Sequence, residues 1–288
     1  MQTLTQWHQQ GAYFEYRKHT IFYQEIPSEK PLLVLLHGFP TASWDWWKIW
    51  PTLSRHFHLL APDFIGFGFS DKPRNYQYSL VDQTDLVQEL LSQKKINEYH
   101  ILAHDYGVSV AQELLARQLE AKNTSKGSIQ SVCFLNGGLF PAAHQPRPIQ
   151  KALISPLGFL LTPFLSRAML AKNFAQIFGP ETQASDQEID EFFSLIQEKS
   201  GKYIFHKLIR YMADRKQFAD RWKNALLKSK MPMRLINGPE DPVSGRHLAE
   251  HYQKIVPKAD VVLLDKIGHY PQTEAPELVI KHFLAFHQ

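Results

Sequence analysis

An α/β fold, with a mostly parallel doubly wound sheet interrupted by one helical insertion, is predicted by three features of this 288-residue sequence. Short continuous apolar runs recur, helix-period segments separate several of them, and the rhythm breaks once, from about Phe140 to Leu227. Leu32-Leu33-Val34-Leu35-Leu36 is the clearest run and ends in His37-Gly38, as expected of a strand buried on both faces of a parallel sheet. Similar runs are Leu59–Ala61, His100–Ala103, Val132–Leu135, Met233–Ile236 and Val261–Leu264. Leu80 to Leu91 has apolar residues at 80, 81, 86, 87, 90 and 91, and Val108 to Leu119 repeats this amphipathic helical pattern. Strand alternating with helix implies a parallel sheet covered on both faces. The long stretch after Leu135 is helical and Pro-punctuated, and the strand signal resumes at Met233. The expected organisation is a core domain of residues 1–139 and 229–288, with a helical cap, 140–228, over the C-terminal strand ends. Active sites of open α/β sheets lie at those ends.

Composition narrows the function classes. Hydrophobic residues make up 44% and charged residues 21%, enough for a full core. A net charge of +4 with interleaved signs gives no nucleic-acid footprint and fits a small-molecule substrate. Cys133 is the single cysteine, so no intramolecular disulfide can form, and its apolar neighbours make it a buried small hydrophobe. Met1 to Gly11 lacks the apolar segment of a secretory signal. The most apolar stretch, Leu153 to Leu170, is broken by Pro156, Gly158, Pro163 and Arg167, too often for a membrane span of roughly 20 residues. A cytoplasmic location without cofactor or metal is the default expectation.

His100-Ile101-Leu102-Ala103-His104-Asp105-Tyr106-Gly107 reads as strand, tight turn and helix start. This is the context of a nucleophile elbow, small-x-nucleophile-x-small, with Ala103 and Gly107 as the small residues and Asp105 at the centre. Small side chains are needed because strand and helix backbones approach closely there. The helix N-terminus would also favour the anionic form of Asp105. The competing reading is a plain N-cap, a role for which Asp is favoured.

The companions of Asp105 follow in strand order. His37-Gly38-Phe39-Pro40 follows the Leu32–Leu36 strand, where hydrolases place a loop supplying one oxyanion-hole amide; here that amide is Phe39, with Tyr106 as the second. Ile267-Gly268-His269-Tyr270-Pro271 follows the last strand, which makes His269 the candidate base. Gly238-Pro239-Glu240-Asp241-Pro242 follows the Met233 strand and offers two carboxylates, Glu240 and Asp241, to orient the imidazole.

These segments resemble the epoxide hydrolase and haloalkane dehalogenase branch of the α/β-hydrolases and, more closely, are similar to the mesoderm-specific transcript subfamily. The resemblance runs from about Leu32 to the C-terminus. It is carried by His37-Gly-Phe-Pro-Thr-Ala-Ser-Trp-Asp-Trp46, Asp63-Phe-Ile-Gly-Phe-Gly-Phe-Ser-Asp-Lys-Pro73, His104-Asp-Tyr-Gly107, Asn136-Gly-Gly-Leu-Phe-Pro141, Gly238-Pro-Glu-Asp-Pro-Val243 and His269-Tyr-Pro-Gln272. It implies the α/β-hydrolase fold with an inserted cap, and its register favours Asp241 over Glu240. The residues themselves suggest the chemistry: a carboxylate nucleophile such as Asp105 suits attack on a saturated carbon to give an alkyl-enzyme ester, hydrolysed by His269-activated water with Asp241 steadying the imidazolium. Dehalogenases of the common type use Asn and Trp as halide donors where this chain has Phe39 and Tyr106. Epoxide hydrolases use Phe at the first of these positions and two cap tyrosines as acids. Leu208-Ile209-Arg210-Tyr211 resembles the segment carrying one of them, so Tyr211 is the candidate acid. No tyrosine occurs between Tyr106 and Tyr203, so either one donor suffices or Tyr203 takes the place of the second. An epoxide is the leading substrate class, carbon–halogen hydrolysis the second, and a binding role on a hydrolase fold the third.

Three other patterns are set aside. His247-Leu248-Ala249-Glu250-His251 matches H-x-x-E-H but lacks a third zinc ligand, so a solvated helix face is expected. Gly66-Phe67-Gly68-Phe69-Ser70 lacks the rest of a phosphate-loop signature. Trp44, Trp46, Trp47 and Trp50 are expected mostly to pack helix against sheet, with some lining the pocket.

Overall fold

The computed structural model describes residues 2–121, 127–141, 153–155 and 157–288. Its centre is an eight-stranded sheet of order β1-β2-β4-β3-β5-β6-β7-β8. The strands are β1 (Ala12–Tyr16), β2 (His19–Ile26), β3 (Leu32–Leu36), β4 (His58–Pro62), β5 (Glu98–Ala103), β6 (Ser128–Phe134), β7 (Met233–Asn237) and β8 (Asp260–Leu263). From β4 onward every pairing is parallel, while β2 pairs antiparallel with both β1 and β4. This is the α/β-hydrolase architecture expected from the sequence.

Strand alternation explains the continuous apolar runs. Along β3, Val34 and Leu36 enter one core and Leu33 and Leu35 the other. The first core is closed by α3 (Leu80–Gln93), α4 (Tyr106–Glu120) and α11 (Arg246–Ile255), through residues such as Leu86, Val110 and Leu248. The second is closed by α13 (Pro276–Phe286), which follows the short α12 (Pro271–Glu274), through Val279 and Phe283, by Trp50 of α2 (Trp50–Leu53), and by Trp7, Trp44 and Trp46. Trp7 comes from α1 (Leu4–Gln10), whose start is held by a Thr3–Gln6 capping box. Cys133 faces this second core and is fully buried, with its thiol pKa pushed far up by burial.

The N-terminal hairpin was not among the predicted strands. Its turn is Arg17-Lys18, both with positive φ (49° and 66°), so it carries none of the usual Asn-Gly or Asp-Gly signals. Its strands are also half exposed and lack an unbroken apolar run.

Between β6 and β7 the described residues form α5 (Gly158–Leu161), α6 (Arg167–Phe174), α7 (Asp186–Gln197), α8 (Phe205–Leu208), α9 (Tyr211–Gln217), α10 (Ala219–Lys228) and 3-10 turns. Residues 142–152 and 156 of the expected cap lie outside the described residues. The last helix of this stretch, α10, packs along α4: Trp222 Nε1 donates to Glu113 Oε2 at 2.8 Å and Arg221 Nε to the same oxygen at 2.8 Å. Lys72 ties the insertion to the loop after β4, its Nζ donating to the carbonyls of Gly68 (2.5 Å), Leu195 (3.0 Å) and Glu198 (2.8 Å). Burial brings the Lys72 ammonium down to about 7. Among the described residues, no helix is long and apolar enough to cross a membrane.

One glycine sets how closely α4 can follow β5. A Cβ on Gly107 would lie 2.2 Å from the Leu36 carbonyl oxygen, a backbone atom that cannot move without dislocating β3. Gly107→Ala is therefore expected to destabilise the fold by about 3 kcal/mol. Urea unfolding checks this; a midpoint equal to that of the parent would show that strand and helix can separate freely.

Candidate active site

Asp105 occupies the turn between β5 and α4 with φ 40° and ψ −98°, a conformation that costs a non-glycine residue about 1–3 kcal/mol. Its side chain makes no capping bond to α4, which removes the plain N-cap reading. Instead Oδ2 accepts the Phe39 amide at 3.0 Å, and Oδ1 faces Arg215 Nη2 at 3.4 Å. Burial alone would raise the Asp105 pKa, but the Arg215 guanidinium, with His269 and His104, holds it below the usual carboxylate value. Tyr106 opens α4, so its amide belongs to the first turn, where N–H groups have no intrahelical acceptor.

The Phe39 loop is held from beneath. His37 Nε2 accepts the Phe64 amide at 3.0 Å, so its Nδ1 is the protonated nitrogen and donates to the Gly38 carbonyl at 2.8 Å. Asp45 Oδ2 accepts the Gly38 amide (3.2 Å) and the Thr41 hydroxyl (2.7 Å). Pro40 joins Phe39 in the wall of the cavity.

His269 follows β8, and its Nδ1 donates to Asp241 Oδ2 at 2.7 Å, leaving Nε2 as the ring's remaining basic nitrogen. Its amide donates to the Ile177 carbonyl and its carbonyl accepts from His104 Nε2, both at 2.8 Å. Asp241 is buried and takes four further bonds: from Ser244 Oγ (2.6 Å), the Val243 and Ser244 amides (2.7 and 3.1 Å) and Asn136 Nδ2 (3.0 Å). Its neighbour Glu240 is exposed, which resolves the choice between the two carboxylates. Burial would raise the Asp241 pKa, but His269 and these donors hold it far below its usual value. Burial likewise would lower the His269 pKa, yet the charge and hydrogen bond of Asp241, with the Asp105 charge, raise it to about 9.

Asp105 and His269 line one cavity of about 130 Å³ whose other walls are mainly apolar, including Phe39, Met169, Phe174, Ile196 and Phe205. Tyr211 lines it too, buried, its ring packed against Phe39 and Tyr106 at centroid distances of 5.6 and 5.2 Å. Burial and the Asp105 charge push the Tyr211 phenol well above its usual pKa, with Arg215 working in the opposite direction. Tyr203 is not brought to this cavity: it is 38% exposed, on a turn before α8, beneath the Arg74 guanidinium. None of Trp44, Trp46, Trp47 and Trp50 lines the cavity. Trp44 instead reaches the insertion, donating to Glu191 at 3.1 Å. The Gly66–Ser70 segment wraps the buried carboxylate of Asp63, which accepts the Phe69 amide at 2.8 Å and the Ser43 amide at 2.7 Å.

Arg215 is a charged site residue that the sequence did not single out. Only 2% exposed, it reaches Asp105 from α9, and its guanidinium carbon stands 4.5 Å from the Tyr211 ring centroid. In sequence it sits in Ala213-Asp214-Arg215-Lys216, which reads as a solvated helix face. The nearest signal is Gly138, where a Cβ would meet Arg215 Nη1 at 2.6 Å.

The raised His269 value has a testable consequence. A folded pKa of about 9 against an ordinary 6.5 means the pair contributes stability that is complete below about pH 6.5. That contribution is lost as pH rises towards 9. The melting temperature of the parent is expected to fall across this window more steeply than that of His269→Gln; equal slopes would show that His269 does not hold its proton in the folded state.

Comparison with known proteins places this geometry in a family. The family model for the alpha/beta hydrolase fold matches residues 31–276. Mesoderm-specific transcript protein of Mus musculus is 39% identical, over 98% of this chain and 87% of its own length. LipZ of Mycobacterium tuberculosis, named as a hydrolase, is 34% identical over 96% of this chain and 94% of its own. Among solved structures, the haloalkane dehalogenase DbeA of Bradyrhizobium elkani superposes with a TM-score of 0.81 at 23% identity, covering 96% of each chain. An alpha/beta hydrolase fold protein of Burkholderia ambifaria gives 0.80 at 22%, covering 95% of this chain and 97% of its own. The chain belongs to the α/β-hydrolase fold family.

Proposed function

We propose that this hydrolase works through an ester on Asp105, with an epoxide as substrate. The observation that carries the reading is the pairing of a buried, anionic Asp105, its Oδ2 bonded to the Phe39 amide, with the His269–Asp241 pair across one small apolar cavity. A carboxylate in that position suits displacement at a saturated carbon.

In the first step Asp105 Oδ1 bonds to an epoxide carbon while the carbon–oxygen bond of the ring breaks. The alkoxide so formed takes the proton of Tyr211, a phenol whose raised pKa keeps it protonated until a stronger base appears. Esterification also removes the negative charge of Asp105, one of the causes of the high His269 pKa. The His269 imidazolium then releases its Nε2 proton to solvent, and the neutral Nε2 takes a proton from water as the hydroxide adds to the Asp105 carbonyl carbon. The amides of Phe39 and Tyr106 hold the oxyanion on Oδ2. Collapse breaks the bond to Oδ1, which leaves as the diol oxygen with the His269 proton. Asp105 is left with an oxygen from water, and its carboxyl proton returns to Tyr211 through solvent.

Carbon–halogen hydrolysis would use the same ester but needs halide donors, and neither Phe39 nor Tyr106 offers a suitable side chain. The reading is tested by incubating His269→Gln with a panel of epoxides and haloalkanes and weighing the intact protein. The expected product is an adduct on Asp105 equal in mass to the whole epoxide. A haloalkane would instead add its alkyl group without the halogen. Tyr211→Phe should slow epoxide adduct formation about 100-fold. Adducts only elsewhere than Asp105 would sink the ester mechanism. An inactive parent with no adduct from any compound would favour the binding role.

A further inference from the structure

We infer that Arg215 is a catalytic residue of ester hydrolysis, stabilising the oxygen that leaves Asp105. The inference rests on the Asp105 ester reading above. The two carboxylate oxygens of Asp105 are not equivalent. Oδ2 accepts the Phe39 amide at 3.0 Å, which makes it the carbonyl and oxyanion atom. Oδ1 is left to attack and becomes the bridging oxygen of the ester. That oxygen faces Arg215 Nη2 at 3.4 Å.

A contact of 3.4 Å is long for a charge-assisted hydrogen bond, which ordinarily spans about 2.7–2.9 Å. It therefore leaves Oδ1 free to act as a nucleophile. When the tetrahedral adduct collapses, electrons of the Cγ–Oδ1 bond move onto Oδ1, and negative charge builds beside the guanidinium. The contact can then shorten, so Arg215 binds the transition state more strongly than the resting carboxylate. The proton that completes the alcohol still comes from His269.

The rest of the guanidinium is fixed for this task. Nε donates to Ser109 Oγ at 2.8 Å, and Nη2 also donates to the Asp105 main-chain carbonyl at 2.9 Å. Among the described residues Nη1 is buried with no hydrogen-bond partner.

The test follows ester formation and ester breakdown separately at about pH 8, well above the usual carboxylate range. His269→Gln first establishes a substrate that forms the Asp105 ester. With that substrate, Arg215→Gln in an otherwise intact chain is expected to accumulate the ester during turnover, visible as intact mass. Single-turnover breakdown should fall about 100-fold while formation changes less than about threefold. Arg215→Lys should recover part of the loss. Ser109→Ala, which frees Nε without touching a reacting atom, should slow breakdown by a smaller factor and leave formation unchanged. Ester trapped by His269→Gln but never accumulating in the Arg215 and Ser109 variants would overturn the role of Arg215 alone. No ester even in His269→Gln would overturn it together with the Asp105 reading.

Discussion

The left-handed turn at Asp105 is the constraint on which the rest of the site depends. Its cost of about 1–3 kcal/mol is offset by backbone bonds that tie three loops together. The Asp105 amide donates to the Asn136 carbonyl at 2.8 Å, and the Gly107 amide to the His37 carbonyl at 2.9 Å. The elbow thus cannot relax without moving the loops after β3 and β6. Asn136 carries the constraint further: its side chain donates to Asp241 Oδ2 at 3.0 Å and accepts the Gly238 amide at 2.7 Å. One asparagine therefore sets the spacing between the loop of Asp105 and the loop of Asp241.

Charge imposes a second order on the same groups. Arg215, Asp105, His269 and Asp241 alternate in sign through a buried region, each partly neutralised by its neighbours. Removing one member therefore takes from its neighbour part of what offsets the cost of burying that neighbour's charge. This is why the Asp105 carboxyl is held below its usual pKa despite burial, and why His269 binds its proton so firmly in the resting protein.

Much of this was legible in the sequence where burial on two faces leaves a plain mark. The strands from β3 to β8 are apolar runs because each contributes to both cores, and the loops after β3, β5, β7 and β8 carry His37, Asp105, Asp241 and His269 in order. What was hidden is of another kind. The β1–β2 hairpin is half exposed and turns on Arg17-Lys18, so neither periodicity nor turn chemistry announces it. Glu240 and Asp241 are adjacent in sequence, and only the fold of their loop decides which one turns inward. Arg215 is hidden most fully, since a charged residue on a polar helix ordinarily faces solvent. Its burial is a property of where α9 lands against the elbow, and one trace of it elsewhere in the chain is the absence of a side chain at Gly138.

The insertion supplies more than a lid of apolar residues. It brings Tyr211 and Arg215 from α9 to opposite needs of one carboxylate, and the guanidinium lies against the phenol ring at 4.5 Å. In the resting state the two are coupled through Asp105, whose charge raises the phenol pKa while Arg215 lowers it. Loss of that carboxylate charge on esterification would change the balance at both His269 and Tyr211 while the Arg215 charge persists. On the proposed ester mechanism, a fixed cation beside a carboxylate that is anionic, then neutral, then anionic again favours the two charged states over the ester between them. On that mechanism the placement of a single arginine favours hydrolysis over storage of the intermediate.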